Sequence, residues 1–219
     1  MITFHQIKHD PQILTYIEQA DKALEALGYT EHSLAHVGKV SEPAGRILIE
    51  LDHPSREAEL ARIAGYLHDI GNIVNRIDHA QSGAVMAFRL LDKLGMDPAE
   101  ISVVISALGN HDDSPAFPRN PVAAALILAD KTDVRRTRVR NQDLSSFAIH
   151  DRVNYAVTKS SAFLTEDRTE FVLRITVDTE ISPVLDYFEI FMERMLLCRR
   201  ASAKLGLQFR LSVNGQMML

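Results

Sequence analysis

The apolar residues recur at helical spacing over the first two thirds of the chain. Asp10-Pro11 reads as an N-cap followed by proline in the first turn, after which Ile13, Leu14, Ile17, Leu24 and Leu27 share a face up to Gly28. A second helix is expected from about Glu31 to Leu51, with Pro43 inside it predicting a kink or a split. Ser55 is expected to cap a third, whose stripe is Leu60, Ile63, Ala64 and Leu67, ending near Gly71. Further helices are predicted over roughly 80–94, from Asp97-Pro98 to Leu108, and from Asn120-Pro121 through a very apolar run that turns charged at Asp130.

After about Asn141 the period changes from helical to alternating. Val153, Tyr155 and Val157 alternate, as do Phe171, Leu173, Ile175 and Val177, and later Phe209, Leu211 and Val213. Ser182-Pro183 opens a long helix between the last two strands, with Phe188, Phe191, Met192 and Met195 as its core stripe. The expected architecture is mainly α: a helical bundle over residues 1–145, carrying a small C-terminal α+β (β-β-α-β) appendage over 146–219.

Composition narrows the setting. The 219 residues are 46% hydrophobic and 24% charged, the balance of an ordinary globular protein. A formal net charge of -5 argues against a dedicated nucleic-acid binder. A single cysteine, Cys198, excludes both an intrachain disulfide and a cysteine-built zinc site. No apolar run approaches the roughly 20 residues that span a bilayer, and the first residues lack a secretory pattern, so a soluble, cytoplasmic protein is expected.

The chemistry-bearing candidates are histidines and aspartates at helix ends. His-Asp occurs four times, at 9–10, 68–69, 111–112 and 150–151, so the dipeptide alone says little. His68-Asp69 differs in context: it ends a strongly apolar helix directly before Ile70-Gly71. A carboxylate buried there needs a partner or a metal. His36, on an earlier helix, and Asp130, at the end of the most apolar helix, could join the pair in a mixed nitrogen and oxygen set. Such a set suits Mn, Fe, Ni, Zn or Co. His32, four residues before His36, competes for the first position, and the Val40 and Ala44 pattern favours His36. His79 and His111 could complete a second metal site or bind substrate phosphate. Lys131 and Arg135 are expected one helical turn apart, as a phosphate clamp, while Asn72, Arg76 and Asn110 are candidate substrate contacts.

The ordered set His36, His68-Asp69, His79, His111 and Asp130 resembles the HD superfamily of metal-dependent phosphohydrolases. The matching stretches are His-x-x-Lys-Val at 36–40, Gly-Tyr-Leu-His-Asp-Ile-Gly-Asn at 65–72, His-Ala-Gln-Ser-Gly-Ala at 79–84, Asn-His at 110–111 and Leu-Ala-Asp-Lys at 128–131. The resemblance implies a helical HD-domain bundle and one or two divalent metal ions. One ion would be held by His36, His68, Asp69 and Asp130, the second by His79 and His111 with Asp69 as the bridge. It also implies catalytic roles for Asp69 and Lys131 in hydrolysis of a small phosphorylated substrate. The segment after His111 lacks the Gly-Tyr-Pro signature of cyclic-dinucleotide phosphodiesterases in that superfamily. The layout is closer to its dinucleoside-polyphosphate hydrolase branch, which points to a nucleotide-like substrate. A metal-retaining nucleotide sensor and a di-iron oxygenase on the same scaffold are the competing classes. The C-terminal appendage carries no catalytic signature; its strands could extend a sheet across a homodimer, or shield the cleft and set specificity, and a purely structural role is the expectation.

Overall fold

A computed structural model describes residues 1–112, 117–141, 143 and 146–218. Seven helices come first among the described residues: α1 (Phe4–His9), α2 (Pro11–Ala26), α3 (Leu34–Glu50), α4 (Ser55–Leu67), α5 (His79–Lys93), α6 (Pro98–Gly109) and α7 (Pro121–Lys131). The Asx-Pro signals behave as expected: Asp10, Asp97 and Asn120 each cap their helix by accepting backbone N–H bonds. The chain stays helical through Pro43, so of the two outcomes expected there the split does not occur. One local expectation fails: α4 has Pro54 at its cap position, with Ser55 already the first helical residue. The short α1, closed by a capping box between Thr3 and Gln6, goes unread by the apolar periodicity.

α7 is the centre of the bundle. Every residue from Val122 to Ala129 is buried, and the helix packs against α3, α4, α6 and the later helix α9 (Val184–Lys204). A helix apolar on all sides can only be stable when surrounded. Its polar end, Asp130-Lys131, is therefore delivered to the interior rather than to solvent.

The C-terminal segment comprises α8 (Ile149–Ala156), β1 (Val157–Leu164), β2 (Glu170–Val177), α9 (Val184–Lys204), β3 (Gln208–Val213) and β4 (Gln216–Met217). The residues read as an alternating strand start, Val153 and Tyr155, lie in α8 instead. Three alternating positions are too few to separate a period of two from 3.6, and Val153 and Ala156 bury one helical face. The sheet order is β1-β2-β3-β4, with β1/β2 and β3/β4 antiparallel and β2/β3 parallel. α9 is the crossover between the parallel pair. It buries Tyr187, Phe191, Met195 and Cys198, while Phe188 is half-buried and Met192 exposed. One contiguous apolar core runs from Ile7 to Val213 across both segments. No helix among the described residues is long and apolar enough to cross a membrane.

Candidate metal centre

Two close backbone approaches bring the donors together. A Cβ on Gly65 would stand 2.7 Å from the Ser41 Cα, so α3 and α4 touch backbone to backbone only because this position is glycine. That contact places His36 of α3 beside His68, which follows α4; their ring centroids are 5.3 Å apart. A Cβ on Gly71 would meet the His79 carbonyl at 2.0 Å and the Gly83 nitrogen at 2.5 Å. The 3₁₀ turn after the pair (Ile70–Ile73) thereby lies against the start of α5 and sets His79 on the other side of Asp69.

The four imidazoles of His36, His68, His79 and His111 are buried, and each is anchored the same way. His68 Nδ1 lies 2.8 Å from the Gly65 carbonyl, His79 Nδ1 3.1 Å from that of Arg76, and His111 Nδ1 2.6 Å from that of Leu108. His36 Nδ1 lies 2.8 Å from a carboxylate oxygen of Asp133. Each acceptor fixes the proton on Nδ1 and leaves the Nε2 lone pair facing inward. Around these lone pairs sit two carboxylates. Asp69 Oδ2 is 3.0 Å from His68 Nε2 and 3.5 Å from His36 Nε2, and Asp69 Oδ1 is 3.5 Å from His79 Nε2. Asp130 Oδ1 is 3.6 Å from His36 Nε2 and 3.5 Å from His68 Nε2. The Asp69 carboxylate thus faces both halves of the cluster.

Two sets of donor atoms, each within a 4.8 Å span, emerge: His36, His68 and Asp130; and His68, Asp69 and His111. The Nε2 atoms of His36 and His68 are fully buried and make no hydrogen bond. A buried polar atom without a partner is unfavourable, and here two of them converge with carboxylates on the same point. Neutral imidazoles and carboxylates, without thiolate, form a donor set that fits a divalent transition metal.

Burial alone would push the His68 imidazole down, yet Asp69 and Asp130 hold it up at about 10, so without an ion His68 carries a second proton, which a bound metal would displace to free the Nε2 lone pair. Burial opposes the charge of Asp69 and Asp130 as well. The His68 and His32 imidazoles keep Asp69 well below the usual carboxylate range, and Lys131 with His68 does the same for Asp130. His111, buried and facing His68 and Lys131, is pushed down to about 3. A concentration of negative charge therefore waits for a cation on one side, while the far histidine stays neutral.

Beside the cluster is a small cavity lined by Thr30, His32, Asp69, Arg76, His79, His111, Asp112, Asp130, Lys131, Arg138, Asn154 and Arg194. Arg76 and Lys131 reach it as expected. Lys131 is already engaged, 2.8 Å from Asp112 Oδ1 and 3.1 Å from Asp130 Oδ2. Other sequence expectations are redirected. Asn72 does not line the cavity: its side-chain nitrogen donates to the Asp69 carbonyl and carboxylate, both at 2.9 Å, and so orients Asp69. Asn110 donates to the Ser106 carbonyl and faces an outer groove between α5 and α6. Arg135 is not one turn from Lys131, because α7 ends there; Arg135 is extended and pairs with Asp133 at 2.6 Å. Arg138 takes the place on the cavity wall that Arg135 was expected to fill. His32 precedes α3 rather than sharing its face, with Ser33 as the cap. Its Nε2 lies 4.0 Å from Asp69 Oδ2, while His36 is the one inside the cluster.

Asp112, Asp133, Arg138, Asn154 and Arg194 were missed by sequence reasoning. Asp133 had a readable signal, a second carboxylate three residues after Asp130; the others depend on tertiary placement.

Residues 33–135 match the model of the HD domain family. Among solved structures, that of a predicted HD superfamily hydrolase from an uncultured Thermotogales bacterium is similar to this chain. The identity is 22%, over 86% of this chain and 91% of that one, with a TM-score of 0.47. The matched segment holds all six donors, His36, His68, Asp69, His79, His111 and Asp130, and the chain accordingly carries an HD domain at residues 33–135.

Proposed function

We propose that this protein is a metal-dependent phosphohydrolase acting on a small phosphorylated substrate. The observation that carries this reading is the convergence of bare, buried Nε2 atoms with Asp69 and Asp130 on one point, beside a cavity walled by cations. His36, His68, Asp69 and Asp130 would hold one divalent ion, and His79 and His111, with Asp69 between, a second. Such an ion supplies Lewis-acid polarisation of phosphoryl oxygens and brings the pKa of water toward neutrality.

The chain's own residues contribute the rest. Asn72 and the Nδ1 anchors hold the donors in one orientation, so little rearrangement accompanies reaction. Arg76 and Arg138 present charge to phosphoryl oxygens, and Lys131 balances the carboxylates of Asp112 and Asp130 at the same wall. The likeness in layout to dinucleoside-polyphosphate hydrolases makes nucleotides the first substrates to assay, alongside p-nitrophenyl phosphate and pyrophosphate.

The test is phosphate release by protein loaded in turn with Mn, Fe, Co, Ni and Zn, with bound metal measured by mass spectrometry. His68→Ala and Asp69→Ala are expected to lose metal and turnover together. Undiminished activity in a metal-free variant, or no turnover with any metal across the panel, overturns the reading.

A further inference from the structure

All twelve residues lining the cavity are polar or charged. Five lie outside the segment matched by the HD family: Thr30 and His32 before it, and Arg138, Asn154 and Arg194 after it. Arg194 stands in the middle of α9, the crossover helix of the C-terminal sheet. Its guanidinium carbon lies 4.6 Å from the ring centroid of Phe191, and stacking on that ring fixes where the charge points.

Three guanidiniums from three segments share this wall, and none of them hydrogen-bonds a carboxylate among the described residues. Arg76 donates to Asn72 Oδ1 at 3.3 Å. Arg138 donates to the backbone carbonyls of Glu31 and Asp133 at 3.0 and 3.1 Å, with its nearest carboxylate oxygen 3.9 Å away. Arg194 forms no ion pair among the described residues. Arg194 and Arg138 are close enough for the charge of one to work against the other. Cations near a helix C-terminus are ordinary, but Arg194 is mid-helix and turned toward the cavity, whereas Arg199 and Arg200 on the same helix are exposed. Three carboxylates and four basic side chains line the space, so every divalent ion bound adds positive charge that only an anionic ligand balances. Guanidinium is the side chain suited to forked recognition of phosphate oxygens.

We infer that Arg194, together with Arg138, grips a phosphoryl group of the ligand, so that the C-terminal α9 is a wall of the binding site rather than scaffold. The ligand class is a compact phosphate polyanion, recognised in the cavity through its phosphoryl oxygens. This rests on the reading above that the substrate is phosphorylated.

The experiment is calorimetric titration of the metal-loaded full chain with inorganic phosphate and with pyrophosphate. Arg194→Gln, which keeps the length of the side chain, is expected to weaken binding of both by about tenfold or more, as loss of a charged hydrogen bond does. Metal content and melting temperature stay at wild-type values, and Arg194→Lys recovers part of the affinity. In the wild type, pyrophosphate should also protect Arg194 from phenylglyoxal, read by peptide mass, which needs no variant. Unchanged affinity in a metal-replete Arg194→Gln, or no protection of Arg194, overturns the inference. Failure of the phosphohydrolase reading looks different: the wild type binds pyrophosphate through Arg194 yet releases phosphate from nothing.

Discussion

His36 Nδ1 and Asp133 Oδ2 lie 2.8 Å apart, joining residues 97 positions distant in the chain. The carboxylate holds the imidazole with its Nε2 toward His68 and Asp130, and Arg135 braces Asp133 from behind with bonds of 2.6 and 3.0 Å. Removing such a support typically weakens metal binding about 10- to 100-fold. Asp133→Asn is expected to show that loss in a chelator competition while its circular dichroism spectrum stays native. Wild-type metal affinity in this variant would show that His36 is oriented by packing alone.

Lys131 is buried between two carboxylates, Asp112 and Asp130. Lys131→Met leaves both without their cation, and breaking a buried pair on one side costs roughly 3–5 kcal/mol. Denaturant melts of the metal-free variant should show a loss of that order, partly restored when metal is added. An equal loss with and without metal would mean that the ion and Lys131 do not share the Asp130 charge.

Gly65 is where α3 and α4 meet. A methyl group there meets backbone, which cannot swing aside, so Gly65→Ala must separate the two helices. A cost of about 1–3 kcal/mol is expected, with a drop in metal occupancy because His36 and His68 move apart. Thermal melts and metal analysis of the same sample check both halves. A destabilised variant with full metal content would refute the coupling.

Away from the centre, Arg56 ties α4 to α6 with two bonds to Glu100, at 2.6 and 2.5 Å, and one to Glu59 at 2.7 Å. The Arg56 hydrogen bonds hold Glu100 below its ordinary value of 4.5. A depressed carboxylate stabilises the fold above its unfolded pKa, and the contribution fades as pH falls from 4.5 through the lowered value. Glu100→Gln is expected to lose up to about 1 kcal/mol at pH 7 and to converge with the wild type in acid. A difference that persists at low pH would point to packing rather than charge.

What the sequence discloses depends on how locally each feature is determined. The Asx-Pro starts of α2, α6 and α7 are readable because a cap is settled within four residues. The gathering of His36, His68, Asp69, His111 and Asp130 was foreshadowed by their order along the chain, which resembles the HD superfamily, more than by the position of any one of them on its helix. Val153 and Tyr155 misled because a short alternation fits a helix as well as a strand. Arg135 and Arg138 exchanged roles because everything turned on where α7 stops, and one turn of chain decides which guanidinium meets the cavity. Arg194 had no local signal at all. Its place comes from a crossover helix positioned by two strands and by α7.

The donor residues are scattered from position 36 to position 130, on elements that meet only in the closed bundle. During synthesis, a growing chain that has released α3 and α4 still lacks Asp130, and the close-spaced pairs it already carries, His32 with His36 and His68 with Asp69 among them, are only fragments of the set. The full donor set exists only once α7 has packed against α3 and α4, so a chain that stops before residue 130 cannot present it.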